Sequence, residues 1–197
     1  MLKKIWKYLL NKPEFKPSLM STANDYYTDK NTVHSYLPIY QKLFGHKDLK
    51  NILEIGIQRG GSIKLWSDYF PNAHVFGIDL TDELICLNIK DRKNISLIFK
   101  DAYSEDIINE LKDIKFDLII DDGNHVLDSM KKAMELYLPM LKDDGIFIIE
   151  DLRDIQWLDI LEGVTPLEDR KYIKKFDLRR NKNRWDDILF VIDRGWY

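Results

Sequence analysis

The chain has one cysteine, Cys86, in 197 residues. It cannot close a disulfide within the chain, so nothing asks for an oxidising compartment, and a small buried apolar side chain in a protein of the reducing cytoplasm is the expected setting. Long apolar runs are lacking too, since none approaches the roughly 20 residues that cross a bilayer. Net positive charge is missing, the formal balance being −3, which argues against nucleic acid as a partner. There is no internal repeat and no low-complexity tract. What is present suits a folded domain: 45% apolar and 32% charged residues, in a length that one core can fill.

The opening MLKKIWKYLL is basic and partly apolar, but Lys7 interrupts it and no small-residue cleavage site follows, so it does not read as a secretory signal. Two placements stay open for it: an amphipathic helix on a membrane or partner, or a terminal helix packed on the domain. Pro13 and Pro17 mark a linker, because proline lacks an amide donor and restricts the residue before it. Residues 1–25 are therefore expected to form a helix and linker, and 26–197 a single domain.

Within that domain, 32–44 has near-helical apolar spacing, with Pro38 expected to kink it or end its first turn. Strand-like runs follow at 51–57, 74–79, 95–99, 116–121 and 146–150, separated by helix-like stretches near 62–70, 81–88, 104–113 and 126–142. Alternation of this kind predicts an α/β fold with a mostly parallel sheet and helices on both faces. Continuous apolar runs such as LIIDD and IFIIED suit strands buried on both sides. Segments 172–177 and 188–192, around the polar turn RRNKNRW, predict an antiparallel hairpin that completes the sheet.

Ligands of open parallel sheets bind beyond the carboxyl ends of the strands. The first such end is LEIGIQRGGS, Leu53 to Ser62, whose glycines permit a sharp turn and close approach, with unpaired helix amides following to meet an anion. A dinucleotide fingerprint needs glycine at position 58, which here is Gln58, so a nicotinamide cofactor is disfavoured. The stretch resembles the first motif of class I S-adenosylmethionine-dependent methyltransferases, with Glu54 on the strand, Gly56 at its end and Gly60-Gly61 before the helix. That resemblance implies a Rossmann-like class I methyltransferase fold with a seven-stranded sheet. It also implies S-adenosyl-L-methionine as cofactor, with Glu54, Gly56, Gly60, Ser62, Asp79, Asp101 and Asp121 around it. Asp79 would then accept hydrogen bonds from the ribose hydroxyls, and Asp101 would lie near the adenine.

In such a fold the fourth and fifth strands are neighbours, so DDGNH and IIEDL bring Asp121, Asp122, Glu150 and Asp151 together. Clustered carboxylates call for raised pKa values or a cation, and oxygen donors without cysteine favour Mg²⁺, Mn²⁺ or Ca²⁺. Because side chains alternate along a strand, Asp121 and Asp122 should point to opposite sides, leaving one as a direct ligand. The two motifs resemble those of macrolide-sugar O-methyltransferases and cephalosporin-hydroxylase-like proteins. By that resemblance the metal ligands are Asp122, Glu150 and Asp151, and the catalytic base is His125. YYTDKNTVHSY looks like the TDK segment that precedes the macrolide-sugar fold, and Thr28-Asp29-Lys30 is a candidate lid. This chain departs from the pattern in lacking a long N-terminal extension and in its short 153–170 insert.

The resulting expectation is a metal-dependent O-methyltransferase acting on a hydroxyl of a sugar, nucleotide-sugar or glycan, as a possible homo-oligomer. A hydroxylase-like oxidoreductase and a non-catalytic cofactor-binding module are the alternatives. Tyr26, Tyr27, Tyr36, Tyr40, Trp157 and Trp185 could line a sugar pocket or fill the core. The run RRNKNR reads as a solvated turn or, less simply, as a grip on an anionic substrate. His46 and His74 read as structural or surface residues, as does His34, which is also a minor candidate for the substrate mouth.

Overall fold

The computed structural model describes residues 18–23 and 28–195. The expected N-terminal helix and linker therefore lie outside the described residues, apart from a short helix α1, Leu19–Ala23. Tyr26 and Tyr27 lie outside them as well. Helix α2 is Asp29–Thr32 and α3 is Leu37–Leu43, so the helix expected over 32–44 is confined to its second half, with Pro38 in the first turn, where a missing amide costs nothing.

Seven strands form one sheet: β1 Asn51–Ile55, β2 His74–Asp79, β3 Ile95–Phe99, β4 Phe116–Asp121, β5 Leu141–Ile149, β6 Ile173–Asp177 and β7 Ile188–Asp193, in the order β3-β2-β1-β4-β5-β7-β6. The β1–β5 pairings are parallel, and β7 runs antiparallel between β5 and β6. The connecting helices are α4 Gly61–Tyr69, α5 Asp106–Leu111, α6 Leu127–Tyr137, α7 Trp157–Val164 and α8 Arg179–Lys182. Two apolar clusters cover the sheet, and alternation assigns the residues: Ile52, Leu118, Ile120, Ile146 and Ile148 face one, Leu53, Ile55, Ile119, Phe147 and Ile149 the other. All ten are buried, hence the uninterrupted apolar runs.

Three expectations are corrected. No helix forms over 81–88; the Thr81 hydroxyl accepts the Glu83 amide at 3.2 Å, a local bond that competes with helix, and Leu80 and Leu84 stay exposed. Cys86 shares that surface segment and is exposed, not buried. The helix expected to reach 142 stops at Tyr137, because Pro139 sits in a 3₁₀ turn and β5 already begins at Leu141. The RRNKNR turn contains α8, closed by Asn183 in the left-handed region. Two of its four charges are paired locally, Arg179 with Asp177 and Arg184 with Asp186.

Candidate active site

The carboxyl ends of β1, β2, β4 and β5 open onto a cavity of about 550 Å³. Gly56 leaves β1 with φ +90°, and a Cβ there would lie 2.1 Å from the carbonyl oxygen of Asp122. Only glycine lets the first loop pass this close to the β4 end. Gly60, at φ +87°, then turns the chain into α4, whose first residues, Gly61 and Ser62, line the cavity. Unpaired amides at this helix start suit an anionic group. Asp79, at the tip of β2, accepts the Ile57 and Gln58 amides on Oδ2 at 2.8 and 3.0 Å, fixing the glycine loop. Asp101 and Tyr103 form the far wall.

Of the residues expected around a cofactor, Gly56, Ser62, Asp79 and Asp101 line this cavity; Glu54, Gly60 and Asp121 stand behind it. Asp121 is buried and accepts a hydrogen bond from the Tyr103 hydroxyl at 2.9 Å. Burial, opposed by that bond, pushes its carboxyl up to about 7. Gly123 packs beneath the same hydroxyl, which a Cβ would meet at 2.0 Å.

Strand alternation turns Asp122 the other way, to the face shared by Glu54 and Glu150. Here the structure adds a residue whose partners are too distant in sequence to be foreseen. Lys30, 1% exposed, places Nζ 2.7 Å from Asp122 Oδ2, 2.8 and 2.7 Å from the Glu150 oxygens and 3.2 Å from Glu54 Oε1. Burial works against its charge, but Asp122, Glu150 and Glu54 outweigh burial and raise its pKa. Glu150 also accepts the Tyr40 hydroxyl at 2.6 Å, and Glu54 the Trp66 indole at 2.7 Å.

Asp151 sits one residue on, at φ +56°, and accepts the Tyr36 hydroxyl on Oδ1 at 2.5 Å. His125 is likewise left-handed, at φ +53°. Two non-glycine residues in this region are a strain that the surroundings must sustain. His125 Nε2 lies 3.8 Å from Asp122 Oδ1 and 3.7 Å from Asp151 Oδ2, and one donor atom from each of the three residues fits within 4.8 Å. Burial lowers the His125 pKa, Asp122 opposes this, and Lys30 and Arg153 assist it. Burial, followed by the charge of Asp122, lifts the Asp151 carboxyl to about 8. Oxygen donors short of positive charge are what a divalent cation relieves, so Asp122 and Asp151 fit one, with the imidazole beside it.

His34 is buried behind Asp151, with Nδ1 3.3 Å from its Oδ1 and 3.5 Å from Asp187 Oδ1. It does not line the cavity, and neither do Tyr36, Tyr40, Trp157 and Trp185; the aromatic residue that does is Tyr103. Of the expected lid Thr28-Asp29-Lys30, Thr28 and Asp29 line the wall, whereas Lys30 is buried outside the lining.

A family model described as a methyltransferase domain matches residues 46–187. The chain belongs to the methyltransferase domain family. Among curated members, it is 27% identical over 156 residues to mycinamicin VI 2''-O-methyltransferase of Micromonospora griseorubida, covering 72% of this chain and 38% of that one. It is 32% identical over 113 residues to L-olivosyl-oleandolide 3-O-methyltransferase of Streptomyces antibioticus, covering 54% and 29%. This methyltransferase domain thus spans well under half the length of the curated relatives it matches. Among solved structures, the MycE methyltransferase of the mycinamycin biosynthetic pathway, in complex with Mg, SAH and mycinamycin VI, is similar with a TM-score of 0.62 at 25% identity, over 80% of this chain and 42% of that one. The expected Rossmann-like fold, with its mostly parallel sheet and C-terminal antiparallel pair, is the fold observed.

Proposed function

We propose that this chain is a metal-dependent O-methyltransferase that moves a methyl group from S-adenosyl-L-methionine to a hydroxyl of a sugar or glycan-like small molecule, with residues 26–197 as its catalytic domain. The observation that carries the reading is the convergence of His125, Asp122 and Asp151 beside a glycine-loop cavity that Asp79 stiffens. The activities named for the curated relatives, 2''-O-methylation of mycinamicin VI and 3-O-methylation of L-olivosyl-oleandolide, support the substrate class. Nucleotide-sugars belong among the acceptors to be screened.

The donor supplies an electrophilic sulfonium methyl, and a divalent ion, when bound, would polarise the acceptor hydroxyl. The chain's residues do the rest. The first amides of α4 receive the donor's carboxylate, while Asp79, already bonded to the loop amides, retains lone pairs for the ribose hydroxyls. Asp101 and Tyr103 bound the adenine end. Asp122 and Asp151 would hold the ion beside the acceptor. His125 Nε2 takes the hydroxyl proton as the new C–O bond forms and the S–CH₃ bond breaks. Its lowered pKa keeps the imidazole neutral, hence basic, at neutral pH.

The test is transfer of labelled methyl from S-adenosyl-L-methionine to a panel of sugars, nucleotide-sugars and glycans, with Mg²⁺ and after chelation. Label in a sugar product that disappears on chelation supports the reading. Undiminished transfer in chelator removes the metal from it, and lack of donor binding by calorimetry overturns it entirely.

A further inference from the structure

We propose that Tyr103 is a positioning residue for methyl transfer: its hydroxyl fastens the turn after β4, residues 122–126, so that Asp122 and His125 are held beside the donor cavity. The proposal rests on the metal-assisted reading and deepens it.

The turn is braced from within and from without. Within it, the Asn124 side chain accepts the Val126 amide at 3.2 Å and donates to the Ser129 hydroxyl at 2.8 Å. From outside, the Ile55 carbonyl accepts the Asp122 amide at 2.9 Å. The Tyr103 hydroxyl spans the middle, donating to Asp121 Oδ1 at 2.9 Å and accepting the Asn124 amide at 3.4 Å. One oxygen thus grips both sides of Gly123, where a Cβ would lie 2.0 Å from it, so the turn is shaped around the hydroxyl. Each gripped residue adjoins one that the proposed chemistry uses, Asp121 before Asp122 and Asn124 before His125. His125 needs such support because its left-handed backbone, at φ +53°, is strained.

Tyr103 is itself anchored on the donor side. Its amide donates to Asp101 Oδ1 at 2.9 Å, and the neighbouring Ala102 carbonyl accepts the Tyr137 hydroxyl at 2.6 Å. Tyr103, Gly123 and Asn124 all line the cavity. A phenyl ring would wall the cavity equally well; what the hydroxyl adds is directed at the turn. Without it the Asn124 amide is released and the buried Asp121 carboxyl loses a donor, a loss that the backbone on both sides of Gly123 must shift to recover.

Tyr103→Phe in the full chain keeps the ring and deletes the hydroxyl. Calorimetric affinity for S-adenosylhomocysteine should stay within about threefold, whereas Mn²⁺ affinity should fall at least about tenfold through the displaced Asp122. The imidazole nitrogen-15 resonance of His125, assigned by its loss in His125→Ala, should move in the metal-free S-adenosylhomocysteine complex, with those of the other three histidines in place. On the acceptor that the sugar panel identifies, kcat should fall about 10–100-fold, since small misplacements of reacting groups are costly, with KM for the donor unchanged. Should Tyr103→Phe not fold, Gly123→Ala, whose methyl displaces the hydroxyl, supplies the same readouts. An unmoved His125 resonance, an unchanged Mn²⁺ affinity or an unchanged kcat overturns the role of Tyr103 and leaves the metal-assisted reading standing. So does an equal weakening of S-adenosylhomocysteine, which would make Tyr103 a donor contact only. A wild type that binds neither S-adenosylhomocysteine nor Mn²⁺ overturns both.

Discussion

His125 is the residue on which the proposed chemistry turns, and its replacement separates catalysis from binding. His125→Ala should lower the methyl-transfer rate by about 10²–10⁴-fold. Calorimetric affinity for S-adenosylhomocysteine should stay within a few-fold, because His125 lies at the carboxylate side of the cavity, away from the Asp79 loop. Equal loss of both would mean that the histidine shapes the pocket instead. Gly56 makes a different kind of prediction. At φ +90° and 2.1 Å from the Asp122 carbonyl, any Cβ is both strained and blocked. Gly56→Ala should cost about 1–3 kcal/mol from backbone strain alone, read as a lowered urea midpoint, and should also displace the β4 end and abolish donor binding.

The elements show which parts of the site the sequence could disclose. Asp79, Asp122 and His125 were legible because each follows an apolar strand run, and in a parallel sheet the residue after such a run faces the ligand side. Alternation also foretold that Asp121 and Asp122 diverge, one to Tyr103 and the other to Lys30. Glu54 looked like a cofactor contact but, sharing the parity of Ile52, turns to the buried face and the Trp66 indole. Lys30 could not be assigned a partner, since its contacts lie 92 and 120 residues away and no local pattern encodes them. The missing helix at 81–88 failed for the opposite reason: its local composition permitted a helix, but few of its side chains had a surface to pack on. Docking of α4 on β1 yields its own prediction. Trp66→Phe removes the indole donor 2.7 Å from Glu54 Oε2, leaving a buried carboxylate under-satisfied. A loss of about 1–3 kcal/mol is expected in denaturant unfolding; an unchanged midpoint would show that Lys30 and Ser62 suffice.

For the whole molecule, ligand binding and folding are linked because the cavity walls come from six separate stretches, running from Thr28 to Asp151. An unfolded chain has no such site. Donor or S-adenosylhomocysteine at 100 times its dissociation constant should therefore add about 2.7 kcal/mol to stability. For a protein of this length that corresponds to a rise of roughly 5–10 °C in Tm by thermal shift. Among the described residues no helix is long and apolar enough to cross a membrane.

The position of β7 bears on how the site assembles. The strand that flanks the carboxylate-side edge of the parallel sheet follows every proposed site residue in the sequence, yet it inserts between β5 and β6, and the Ile188 carbonyl accepts the Leu152 amide just beyond Asp151. A polypeptide ending before Asp186 has every proposed catalytic side chain but lacks the strand whose carbonyl braces the turn that bears two of the acids. Competence should thus be acquired all at once, when β7 docks.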